Sequence, residues 1–336
     1  MMNAETKQAP GIGKIINRNM HTARLLVLMA VWLTFLAFNA PKFFRVISFQ
    51  TMAAQFPEFG VMALGVMLCM ITGGIDLSVV GVANFTGITM GMLLKIMVDG
   101  EGRLLWYAFP AVIVTGVCIG AAWGLFNGFL VAKIPIPPIL ATLGSFELIT
   151  GISVIITNGK AVAKLPMRYS EVLAGRLGPV PAQVVIFVLV AAVIGVLLSR
   201  TSYGLKLYMM GTSERAARYS GLRVDSLLLK TYMISGMCAA IGGLIMLSNY
   251  NTARSDFGQV YTLQCVLIVV LGGISPTGGK GKLTGVLLSI CMLQLLSSGL
   301  NRFPQINSFY IPLIWGGVLL LVMVLDYFTG KGKHGA

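Results

Sequence analysis

Stretches of about twenty apolar residues recur along the chain, each long enough to cross a bilayer core of roughly 30 Å as a helix. Hydrocarbon offers no water to satisfy backbone polar groups, so lone segments of this length have to be helical. Ten candidate spans follow, near 23–40, 52–71, 76–97, 106–131, 138–157, 181–199, 231–250, 259–273, 283–300 and 308–327. Composition agrees: 56% of the 336 residues are hydrophobic and only 11% are charged, against roughly 25% charged in soluble domains. A water-soluble enzyme of ordinary composition, a nucleic-acid-binding protein and a disordered or fibrous chain are excluded. The expected fold class is an all-α polytopic membrane protein of about ten transmembrane helices. It has a tail at 1–22, a transmembrane domain over 23–328 and a tail at 329–336.

The net charge of +14 belongs to loops and span ends rather than to a nucleic-acid partner. An even span count puts both termini on one side. If that side is cytoplasmic, the inner segments hold more Lys and Arg than the outer ones, led by Arg200, Lys206, Arg215, Arg218, Arg223 and Lys230 in the 200–230 loop. The outer 158–180 loop, with Lys160, Lys164, Arg168 and Arg176, works against that bias, so charge alone leaves both orientations open. The first apolar run, Leu25 to Phe38, has no small-residue cleavage site after it and reads as an uncleaved span. Trp106 with Tyr107, Tyr310, and Tyr327 with Phe328 stand at span ends as interfacial anchors. All five cysteines lie in apolar runs without a CxxC pair, and both histidines lie in the polar tails. Disulfide and metal roles therefore have no sequence support.

Helices in lipid pack closely through small residues. Gly116, Gly120, Gly124 and Gly128 make one face of the fourth span, and Ala83, Gly87 and Gly91 do the same on the third. Such stripes specify a many-helix bundle without specifying cargo.

Function in transport proteins concentrates where Gly or Pro interrupts a helix and polar groups enter the apolar zone. Two stretches qualify: Ile71-Thr-Gly-Gly-Ile-Asp-Leu-Ser78 and Leu271-Gly-Gly-Ile-Ser-Pro-Thr-Gly-Gly-Lys-Gly281. Each carries an apolar run into Gly-Gly-Ile and then into another span, which suggests an internal repeat. The second is not a phosphate loop, because Ile274 replaces the first glycine of that motif and Gly281 replaces its hydroxyl residue. Glu58, Asp76 and Glu147 are acidic residues within or beside spans. An ionised carboxylate at bilayer depth is costly unless it is paired, hydrated or at a helix end. Asp76, after Gly73 and Gly74, fits either the first turn of a helix or a transport pathway. Asn84, Asn127 and Thr142 suit a pathway for a neutral hydroxylated solute, and equally suit interhelical hydrogen bonds.

Within 200–230, Gly211-Thr-Ser-Glu-Arg-Ala-Ala-Arg-Tyr-Ser-Gly221 reads as a short capped helix. Ser213 fits the N-cap, Glu214 the first turn, Arg218 the last turn and Gly221 the left-handed position beyond the end. Two turns are too short to be stable alone in water, so the segment packs either on its own bundle or against a separate soluble subunit.

Taken together the residues resemble a permease subunit of the bacterial ABC importers for ribose, galactose, autoinducer and related simple sugars. The motifs are Thr72-Gly-Gly-Ile-Asp-Leu-Ser-Val79, Gly124-Leu-Phe-Asn-Gly-Phe-Leu-Val-Ala132, Pro138-Ile-Leu-Ala-Thr-Leu-Gly144, Tyr203-Gly-Leu-Lys-Leu-Tyr208, Ala216-Ala-Arg-Tyr-Ser-Gly221 and the glycine-rich 271–281 stretch, in the family's order. The resemblance implies a second permease subunit, identical or related, a cytoplasmic ABC ATPase that binds ATP and magnesium, and a periplasmic solute-binding protein. Membrane lipid completes the surroundings, and no cofactor is held by this chain. It implies residence in the bacterial inner membrane with both termini cytoplasmic. It also places ATPase coupling on Gly211, Ser213, Glu214, Ala216, Ala217, Arg218 and Gly221. The translocation pathway is expected at Gly73, Gly74, Asp76, Asn84, Asn127, Thr142 and Glu147. No covalent step is expected of the chain itself. The sequence departs from the family pattern at Val80-Gly81 and at Gly211-Thr-Ser-Glu-Arg. The class that competes with this reading is a self-sufficient ion-coupled carrier using the intramembrane carboxylates.

Overall fold

A computed structural model describes residues 20–99, 103–134, 136–178, 180–303, 310, 313–320 and 324. The tails expected at 1–22 and 329–336 lie outside it except for residues 20–22, as does most of the span expected at 308–327, where residues 313–320 are helical. Twelve α-helices are named among the described residues: α1 Met20–Asn39, α2 Val46–Ile71, α3 Val79–Ile96, α4 Ala108–Ala132, α5 Pro138–Thr157, α6 Met167–Leu173, α7 Ala182–Arg200, α8 Ser202–Thr212, α9 Glu214–Tyr219, α10 Val224–Tyr250, α11 Val260–Leu271 and α12 Leu283–Leu300. One two-stranded hairpin, Arg176–Leu177 with Val180–Pro181, joins α6 to α7. Seven of these helices are long and apolar enough to cross a membrane, and the apolar stretch Leu25–Asn39 of α1 and α11 are shorter.

α2 and α10 form the buried centre, whereas α4, α5 and α7 leave most of their surface outward. The glycine face of α4 explains how α10 reaches that centre. A Cβ on Gly120 or Gly124 would overlap the carbonyls of Gly236 and Tyr232 on α10, so only a bare backbone permits this approach. α2 begins at Val46 rather than near residue 52, and Pro57 lies inside it without ending it. Proline cannot donate to the helix ladder, so the Ala53 carbonyl loses its usual donor; one residue on, the Asn249 side chain donates to the Ala54 carbonyl at 3.3 Å.

The 259–273 run folds as only the twelve residues of α11, about 18 Å of helix and too short to span alone. It ends like α2. Gly73 N–H donates to Met70 O and Gly74 N–H to Cys69 O. Gly273 N–H donates to Val270 O and Ile274 N–H to Val269 O. Both are Schellman caps with the left-handed residue at Gly73 (φ 86°) and Gly273 (φ 82°). The two Gly-Gly-Ile stretches therefore share one kind of helix cap, offset by one residue: the left-handed position falls on Gly73 in the first and on Gly273 in the second.

Candidate functional site

α9 is built by the cap residues the sequence offers. Ser213 is extended, and its hydroxyl accepts from Ala216 N–H at 3.3 Å. Gly221 takes the left-handed conformation (φ 82°) just past the end. Glu214 and Arg218 pair across one turn at 2.9 Å, Arg218 reaches Asp225 on α10 at 2.9 Å, and Lys133 beyond α4 bonds the same carboxylate at 2.9 Å. This chain of charges fixes the azimuth of α9 against the bundle more than it stabilises it, because its members are largely solvated. Ala217 is the one buried residue of α9, while Ser213, Arg215, Ala216 and Tyr219 face outward. Tyr219 is 93% exposed. Large exposed aromatics are favoured anchors at protein interfaces, and Tyr219 was the member of this helix that the capping pattern did not single out.

Gly211, at the root of α9, lies against the α2 turn and the glycine-rich loop between α11 and α12. A Cβ there would overlap the Ile71 carbonyl and come within 2.5 Å of Gly279 N. Gly279 N–H itself donates to Ile71 O at 2.9 Å, and Tyr208 Oη donates to Gly281 O at 3.0 Å. The ends of α2 and α8 and the loop after α11 thus converge in one backbone-to-backbone contact. A cavity of about 290 Å³ at this point is lined by Gly73 and Gly74 together with Glu214 and Arg218, joining residues from both expected sites. A second cavity, of about 470 Å³, opens beside α8 with Lys206, Arg223 and Lys230 on its wall.

The remaining expected pathway residues divide sharply. Asp76 is not in the first turn of α3; it lies ahead of the N-cap Ser78. Its carboxylate accepts from Ser78 N–H (3.0 Å), Ser78 Oγ (2.7 Å) and Ser235 Oγ of α10 (2.7 Å). Asn127 Nδ2 donates to the same Ser78 hydroxyl at 2.7 Å. Thr142 Oγ1 accepts from Leu77 N–H and bonds the Ile75 carbonyl, closing the 72–78 segment onto α5. Asn84 Nδ2 donates to the carbonyls of Ser255 and Phe257. These four side chains are buried and held by internal bonds, although Asn127 Oδ1 is left without a partner among the described residues. Glu147 differs: it is exposed in the middle of α5, on a face shared with Leu140, Leu143, Gly144 and Gly151. A Cβ on either glycine would meet open space.

Glu58 has the most elaborate setting. It is 1% exposed, and its carboxylate accepts from Tyr261 Oη (2.5 Å), Tyr250 Oη (3.1 Å) and Asn249 Nδ2 (3.2 Å). Gln183 Nε2 in turn donates to Asn249 Oδ1 at 2.9 Å. These partners lie roughly two hundred residues downstream, and no local spacing links them to Glu58. The carboxylate borders a cavity of about 490 Å³ between α2, α11, α12 and Trp315.

Comparison with known proteins matches residues 48–325 to the family described as branched-chain amino acid transport system / permease component. The chain is 32% identical over 290 residues to the ribose import permease protein RbsC of Bacillus subtilis strain 168, covering 85% of this chain and 86% of the relative. It is 30% identical over 306 residues to RbsC of Escherichia coli strain K12, covering 90% and 91%. Over 318 residues it is 30% identical to the autoinducer 2 import system permease protein LsrC of Escherichia coli O9:H4 strain HS, covering 93% and 88%. No solved structure matches the chain.

Proposed function

The chain belongs to the family of branched-chain amino acid transport system permease components, multi-pass proteins of the bacterial inner membrane, and from that premise we propose that it is the permease of a binding-protein-dependent ABC importer for a simple sugar or sugar-like polyhydroxylated solute. An ATPase and a solute-binding protein are the partners such importers imply. The family is one of transport components rather than of enzymes. ATP and magnesium are bound by the ATPase, and the permease contributes differential stability of its inward- and outward-facing states.

The observation that carries this reading is the root of α9. A docking helix transmits motion only if it cannot slide on its own bundle, and Gly211 lodges against the end of α2 and the loop at Gly278 and Gly279 without an intervening side chain. Gly211, Ser213, Glu214, Ala216, Ala217, Arg218 and Gly221 are the coupling segment, with Tyr219 added as its exposed anchor. ATP-driven closure of the ATPase pair displaces α9, and the Gly73 turn and the Gly278–Gly279 loop pass that displacement to α2 and to the connection between α11 and α12. Lys206, Arg223 and Lys230 at the same end support a cytoplasmic position for it, with both termini on that side in this reading. A second permease subunit covers the α5 face, and the pathway between subunits runs past Glu147. Gly73, Gly74, Asp76, Asn84, Asn127 and Thr142 form the wall that changes shape.

Purification of the tagged chain from gently solubilised native membranes tests this reading. A stoichiometric ATPase, together with vesicle uptake of labelled ribose or galactose that requires ATP and the binding protein, is the expected result. Accumulation driven by an ion gradient with no ATPase present overturns it.

A further inference from the structure

We propose that the cavity beside Glu58 is a solute-holding station inside the permease, built for a neutral polyhydroxylated molecule; this rests on the importer reading above. Its volume of about 490 Å³ falls in the range of small-molecule sites, roughly 300–1,000 Å³. Its wall joins the amides of Gln55, Gln264 and Gln294 to the Glu58 carboxylate, with Tyr261 and Trp315 as flat apolar faces. Every sugar hydroxyl is both donor and acceptor, and a primary amide offers the same pair within one group. A carboxylate takes a hydroxyl proton in a short, charge-assisted bond. Aromatic rings combine an apolar face with a polar edge, which suits the C–H faces of a sugar ring.

The charges on this wall define what is refused. No lysine or arginine lines the cavity among the described residues, whereas the carboxylates of Glu58 and Asp256 do. Asp256 is paired with Arg254 at 2.7 Å, so the like charge that a phosphorylated or carboxylated solute would meet is that of Glu58, in surroundings of low dielectric. The site therefore selects the neutral sugar over its phosphate ester.

Position ties the station to the coupling end. Glu58 lies thirteen residues before Ile71 on α2, about 20 Å of helix from the turn against which Gly211 packs. Tyr261 lies in the first turn of α11, whose other end leads into the loop that Gly211 also touches at Gly279. The Glu58–Tyr261 bond therefore joins the middle of α2 to the start of α11. Any displacement of α2 relative to α11 at the coupling end changes the separation of these groups at the station.

The test uses the complete importer in proteoliposomes, with D-ribose, D-galactose and ribose 5-phosphate as probes. Glu58→Gln and Gln264→Leu are each expected to raise the KM for the accumulated sugar at least about tenfold, with assembly and unfolding midpoint unchanged. If Glu58→Gln fails to assemble, Asn301→Ala, on the rim of the same cavity, replaces it, with a smaller rise of about threefold expected. Ribose 5-phosphate is expected to be neither accumulated nor inhibitory. ATP-dependent uptake by the native importer with the variants at native KM overturns the station while leaving the importer reading intact. Import of the phosphate ester as fast as the free sugar overturns it too. Absence of ATP-dependent uptake of either neutral sugar overturns both, as does uptake driven by a proton gradient that Glu58→Gln abolishes.

Discussion

Asp76 and Glu58 are both carboxylates of 1% exposure, and both accept three hydrogen bonds, yet their surroundings are opposites. Asp76 is closed in: two of its bonds come from Ser78 and one from Ser235 of α10, against the backbone crossing of α4 and α10. Glu58 is held by phenols and an amide from distant segments and borders a cavity. Burial alone does not separate a structural latch from a recognition group. What separates them is whether the space beside the group is filled by the chain or left for something else.

That contrast is exposed to direct test, from the largest effect downward. Asp76→Ala strands the Ser78 and Ser235 donors where nothing replaces the acceptor, and it should cost on the order of 3–5 kcal/mol, read as a lowered unfolding midpoint in detergent. Glu58→Ala should cost only about 1–2 kcal/mol, because water entering the cavity can serve Tyr250, Tyr261 and Asn249; equal losses for the two variants would erase the distinction. Tyr261→Phe removes one donor to Glu58 and should raise KM for transport about threefold to tenfold, with the unfolding midpoint close to native. Glu214→Ala breaks a solvated ion pair and should leave the unfolding midpoint unmoved, while ATP-driven uptake falls because α9 loses its fixed orientation. The smallest structural effect belongs to Gly144→Ala. In the protomer its added methyl meets nothing, so only the fraction cross-linked as a dimer should change.

The latch was more legible in the sequence than the station. Gly73, Gly74 and Asp76 are neighbours within one motif, and the glycine stripe of α4 announces its own packing face at four-residue spacing. The cap of α9 is equally local, running from Ser213 to Gly221, and it folds as its residues dictate. Glu58 was visible as a carboxylate in an apolar run, but Asn249, Tyr250 and Tyr261 are brought to it by tertiary packing that no period encodes. α2 starts at Val46 rather than near residue 52, because Ser48, Gln50 and Thr51 dilute the apolar signal that marks a span without interrupting the helix. The two Gly-Gly-Ile stretches match one residue out of register with their caps, since the letters align the tripeptides while the caps align the left-handed glycines. Asn84, Asn127 and Thr142 show the limit of polarity as a signal: the same side chains serve a water path or an interhelical bond, and only geometry distinguishes the two.

Glu147 stands exposed halfway along an apolar helix. A charge presented to hydrocarbon costs at least about 2.5 kcal/mol, so a solitary protomer in lipid is penalised until that face is covered. On the proposed arrangement the penalty makes subunit stability a function of copy number in the membrane. Newly inserted chains that outnumber their partners would carry a marker of being unassembled, legible to any quality-control protease that surveys the bilayer for misplaced charge.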